Sequence, residues 1–144
     1  MKFLFAVLIG FSLLGCAVGK QVMAQASMNG VWEEVVTREG VDEPYSVLTL
    51  DLSVVDGRIA GRYCFVTRFG RKIDCDPDAG DNLRGLVDAA GTMATISFDS
   101  SFGAMDGKAT LTLQDHSLHW DLVSPPVGGE FFGPRQAQLT RPHD

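Results

Sequence analysis

From Val31 to Leu139 the chain alternates apolar and polar residues, and turn-forming residues break the alternation at short, regular intervals. A period of two is the repeat of an extended strand with one face buried. Leu48, Leu50, Leu52 and Val54 share one face, while Thr49, Asp51 and Ser53 share the other. Asp56-Gly57 then marks a tight hairpin turn. Ile59, Tyr63 and Phe65 point inward in the segment that follows, opposite Arg62, and Arg71–Cys75 returns beside it. Further sets are Leu83, Gly85 and Val87; Ala94, Ile96 and Phe98; Ala109, Leu111 and Leu113; Leu118, Trp120 and Leu122; and Ala137 with Leu139. No segment after the first 26 residues carries a capped helical stripe.

With Val31–Thr37 included, these runs predict an all-β fold: a single small antiparallel up-and-down β-barrel of about eight or nine strands over residues 29–144. A barrel is preferred over a sandwich because most connections are short enough for sequence neighbours to pair. Gly61 and Gly85, lone glycines within strands, fit places where the wall bends sharply. The longer irregular stretches are Asp76–Asn82, Asp99–Gly107 and Ser124–Pro134.

Gly30-Val31-Trp32 resembles the G-x-W that opens the first strand of lipocalin-like (calycin-type) barrels. That resemblance implies an arginine of the last strand packed over the tryptophan, a role open to Arg141. Trp32 and Arg141 would then close one end of the barrel. The family's T-D-Y-type middle motif is missing.

Met1-Lys2 followed by the apolar stretch Phe3–Leu14 has the pattern of a secretory signal. The stretch is too short to span a bilayer, which takes roughly 20 residues. Two processing sites compete. Ala24-Gln25-Ala26 is a small-x-small cleavage site that makes residues 1–26 the signal peptide. Leu13-Leu14-Gly15-Cys16 resembles a bacterial lipobox, with the signal ending at residue 15 and Cys16 lipidated. Either places the body in the periplasm, and the second anchors it to the outer membrane through Cys16.

Cys64 and Cys75 remain in the body, and an even pair in an oxidising compartment reads as a disulfide. A turn at Phe69-Gly70 sets the two opposite each other across a hairpin. A two-residue loop would make them a hydrogen-bonded pair, and a four-residue loop, Arg68–Arg71, the closer non-bonded pair.

Asp74, Asp76 and Asp78 are spaced like the start of a calcium loop. Ala79 and Gly85, however, stand where such a loop wants glycine and glutamate, so a solvated acidic turn is the preferred reading. Asp115, His116, His119 and Asp121 read as an exposed polar face. Ser100 and Ser101 lack a positioned base, and neither G-x-S-x-G nor H-E-x-x-H occurs. Neither an enzyme nor a cofactor is expected.

Gly128–Pro134 carries Phe131 and Phe132 side by side, and adjacent residues of an extended chain face opposite ways. One ring is therefore exposed unless something covers it. With Phe69 and Phe102 in other turns, and Glu130 alongside, this predicts either an aromatic protein-binding surface or a plug over the barrel mouth.

The formal charge is −6, and removal of residues 1–26 takes away only Lys2 and Lys20, leaving −8. That sign argues against a nucleic-acid partner and for a basic envelope or toxin protein. In outline the chain is similar to envelope inhibitors of cell-wall hydrolases and to toxin immunity proteins. The alternative is a carrier of a small apolar ligand, as in lipocalins. Bulky inward residues such as Leu50, Phe65, Phe98 and Trp120 favour a filled interior, and hence the first reading.

Overall fold

The computed structural model describes residues 27–142. The expected signal peptide and Cys16 lie outside them. Nine strands form where the alternation placed them: β1 (Gly30–Val36), β2 (Ser46–Val55), β3 (Arg58–Thr67), β4 (Lys72–Asp74), β5 (Leu83–Val87), β6 (Met93–Phe98), β7 (Gly107–Gln114), β8 (Ser117–Ser124) and β9 (Gln136–Leu139). All pair antiparallel in the order β1-β2-β3-β5-β6-β7-β8-β9, with β4 added on β3. Glu33 and Thr140 exchange backbone hydrogen bonds of 2.8 and 2.9 Å, joining the first strand to the chain beyond the last. The sheet thus curls into a nearly closed barrel, which hides the edges an open sheet would expose.

Local chemistry sets the register. Asp56 and Gly57 both take positive φ, 50° and 73°, giving the two-residue turn that pairs Val55 with Arg58. At Gly61 a Cβ would lie 2.0 Å from the Asp51 carbonyl oxygen, and at Gly85 2.1 Å from that of Thr95. Neighbouring backbone already occupies the space a side chain would need, so the wall approaches itself closely at both positions.

The inward set makes the core. Leu50, Leu83, Phe98, Leu111, Leu118, Trp120 and Leu139 are all fully buried. Burial of each such large side chain stabilises the fold by roughly 1.5–3 kcal/mol. The barrel axis is filled by rings: Tyr63 and Phe98 have centroids 5.0 Å apart, Phe98 and Trp120 5.0 Å, and Tyr63 and Trp120 5.7 Å.

One end closes as the G-x-W resemblance implied. The Arg141 guanidinium carbon stands 3.8 Å from the Trp32 ring centroid. Its Nη1 donates to the Val31 carbonyl at 3.2 Å and its Nη2 to that of Ser27 at 2.9 Å. The indole Nε1 donates to the Met28 carbonyl at 2.8 Å, which draws the segment before β1 under the barrel.

Cys64 and Cys75 form a disulfide. Thr67 pairs with Lys72 across the loop Arg68–Arg71, so the four-residue connection is the one present. The Cα–Cα distance of 4.5 Å is that of a non-hydrogen-bonded pair.

Candidate binding surface

The alternation of strand direction brings four connections to one end: 37–45, 68–71, 99–106 and 125–135. All five proposed contact residues lie there, and the fold sorts them into three settings. Phe131 turns inward, its ring 5.6 Å from that of Phe98 and 6.4 Å from that of Tyr63, and continues the interior stack to the mouth. Phe132 turns the other way and meets Phe102 edge to face at 5.4 Å. Phe69 is drawn to the far side of its turn, edge to face on Tyr45 at 5.3 Å, where its amide donates to the Tyr45 carbonyl at 3.1 Å. Both adjacent phenylalanines are partly buried and pack against the core, Phe131 on the interior stack and Phe132 against Phe102.

Cations that spacing in sequence did not reveal cover these rings. Lys72 Nζ lies 4.6 Å from the Phe132 centroid and 5.4 Å from that of Phe102, and the Arg68 guanidinium 5.4 Å from Phe132. The Arg38 guanidinium sits 3.7 Å over Tyr45. Each exposed contact of this kind contributes about 0.5–1 kcal/mol. Glu130 Oε2 is 3.5 Å from Lys72 Nζ, so the acid expected to flank a bare aromatic patch is paired with one of these cations.

The 125–135 strap is tied down at several points. Ser100 Oγ donates to the Glu130 carbonyl at 3.0 Å, Met105 and Val127 exchange backbone bonds, and Trp120 Nε1 donates to the Pro134 carbonyl at 3.1 Å. Beneath it the interior turns polar, and the buried Ser46, Thr67, Asp74 and Ser100 all belong to this end. Asp74 Oδ1 accepts from the Ser101 amide at 2.7 Å and from its hydroxyl at 2.9 Å. Asp74 Oδ2 and Tyr63 Oη are buried with no hydrogen-bond partner among the described residues. Burial, and then the nearby Asp74 charge, push the Tyr63 hydroxyl well above its usual pKa.

The acidic turn does not gather its carboxylates. Asp74 faces the interior, Asp76 Oδ1 accepts from the Asp78 and Ala79 amides at 3.1 Å, and Asp78 is exposed. Among the described residues no three His, Cys, Asp or Glu side chains are placed to hold a metal ion. Asp76 instead shapes its own turn, as short acidic side chains do.

No protein-family model matches this chain, and neither a curated protein nor a solved structure matches it.

Proposed function

We propose that the chain is an exported, non-catalytic binding protein that inhibits or neutralises another protein, in the manner of cell-wall hydrolase inhibitors or toxin immunity proteins. One observation carries this reading: the rings of Tyr63, Phe98 and Trp120 fill the barrel and Phe131 extends them to its mouth. Recognition then falls to the outer surface. The disulfide suits the oxidising periplasm, with Cys16 as the lipid anchor if the lipobox is used. The net charge after export, −8 if residues 1–26 are removed and −7 if the signal ends at residue 15, favours a basic partner, which it would steer toward the complex.

The carrier reading draws on the lipocalin-like pairing of Trp32 with Arg141. It needs interior space at positions now held by the ring stack.

The test is inhibition of a panel of basic cell-wall hydrolases and toxins by the purified protein. One target is expected to be inhibited at a defined stoichiometry. Phe132→Ala should weaken that inhibition by about tenfold, the scale of a moderate hot spot. A protein inert toward the whole panel that co-purifies with stoichiometric lipid overturns the inhibitor reading in favour of the carrier.

A further inference from the structure

β3 has two partners on one side: Arg58–Gly61 pairs with β5 and Phe65–Thr67 with β4. Between them, at Arg62–Cys64, the wall has no strand, and the 75–82 loop passes over the outside of the gap. A groove of about 250 Å³ lies between this loop and the outer face of β1–β3, walled by Val31, Thr49, Pro77 and the Cys64–Cys75 disulfide. Its lining is mainly apolar, yet Asp51 and Asp76 stand at its rim. A second groove of about 310 Å³ shares Asp51 and Arg62 with the first and runs on to Asp81. Asp76, Asp78 and Asp81 are all exposed. The only cation lining either groove among the described residues is Arg62, which faces Asp51 at 3.7 Å. Both ends of the loop are fixed, one by the disulfide and the other by Asn82, whose side chain bonds the Tyr63 backbone. The disulfide and the Asn82 bonds therefore fix where the loop leaves and rejoins the barrel wall.

We infer that this groove seats an apolar side chain of leucine or phenylalanine size, carried on a cationic segment of the protein partner. The inference rests on the binding-protein reading above and assigns the basic contact to a face of its own. The loop end suits a cationic segment poorly, because Arg38, Arg68 and Lys72 already cover its rings. The groove offers the reverse arrangement, an apolar floor within an acidic rim, which both orients such a segment and excludes an acidic one.

The test uses short blocked peptides and the full exported chain with its disulfide closed. Lys-Phe-Lys, Glu-Phe-Glu and Lys-Ser-Lys are titrated while backbone amide resonances are followed. Lys-Phe-Lys is expected to shift Thr49, Cys64 and Asn82, with the other two binding at least about tenfold more weakly, given one lost apolar anchor or reversed rim charges. Asp51→Asn and Asp76→Asn should each weaken Lys-Phe-Lys by up to about fivefold. Asparagine still caps the turn, so the loop survives the second change. Thr49→Trp fills the groove from an outward strand position and should abolish the shifts while the circular-dichroism spectrum stays that of the parent. Equal binding of Glu-Phe-Glu, shifts confined to Phe102 and Phe132, or no shifts at millimolar peptide would each overturn the inference. Peptide seating without inhibition of any panel member would remove the inhibitor reading alone. Inhibition without seating would remove the groove alone.

Discussion

The side chain of Asn82 replaces a missing strand beside Tyr63. The Tyr63 amide donates to Asn82 Oδ1 at 2.7 Å, and Asn82 Nδ2 donates to the Tyr63 carbonyl at 3.0 Å and to that of Asp99 at 3.2 Å. One amide thus satisfies the backbone of β3 where neither β4 nor β5 reaches it, and ties in the chain leaving β6. Asn82→Ala removes all three bonds and leaves partly buried backbone groups unpaired, at a cost of about 2–3 kcal/mol. Asn82→Asp should be no better, since a carboxylate cannot donate to two carbonyls. Urea unfolding checks this: the midpoint should fall with little change in slope. A parental midpoint in Asn82→Ala would show that the seam needs no side-chain bridge.

The disulfide staples the other end of the same seam. Replacing Cys64 and Cys75 together by serine should lower stability by about 2–3 kcal/mol, the chain-entropy value for so short a loop. Cys64 lies in β3 and Cys75 directly follows β4, and these two strands already pair through Phe65–Thr67 and Lys72–Asp74, so the fold should survive the change. Thermal unfolding with and without reductant provides the measurement. Reductant should lower the parental midpoint toward that of the double variant and leave the variant itself unmoved.

What the sequence made legible follows from which interactions are local. Strands and turns repeat at short range, so Leu48, Leu50 and Leu52 announce their face and Asp56-Gly57 its hairpin. The facing of Cys64 and Cys75 also fixes the direction of Asp74. That pairing sets Asp74 directly opposite Phe65, so Asp74 shares the inward direction of Phe65 and turns away from any calcium loop. The rim was legible only in part, because closure of the barrel decides which loops touch. Arg68 and Lys72 reach Phe132 across the barrel end, and no local spacing encodes that meeting. Asn82 left no pattern at all: a single polar residue in a loop looks the same whether it faces water or completes a sheet.

Arg141 contributes through geometry as well as charge. Its guanidinium stands over Trp32 and reaches the Val31 and Ser27 carbonyls at once, which a point-like ammonium cannot reproduce. Arg141→Ala should cost about 1–2 kcal/mol, and Arg141→Lys should recover less than half of that. Both variants should alter tryptophan fluorescence from Trp32 while the Trp120 environment persists. Full recovery by lysine would reduce the contact to a simple charge effect.

Tyr63 predicts a specific alkaline limit. Its hydroxyl ordinarily titrates near 10.0, and burial together with the Asp74 charge raises that value in the folded barrel. The folded state therefore holds the proton more tightly than the unfolded chain. The corresponding stability is complete below about pH 10 and is lost as pH rises above the unfolded value toward the folded one. Tyr63 should therefore ionise only as the barrel opens. In a Tyr45→Phe background, phenolate absorbance should rise only together with the loss of the folded circular-dichroism spectrum. Tyr63→Phe keeps the ring stack and removes a hydroxyl that has no hydrogen-bond partner among the described residues, so it should be near neutral at pH 7 and should move alkaline unfolding to higher pH. Ionisation of Tyr63 in a fully folded protein would sink the prediction, because it would mean that its hydroxyl has ready access to water.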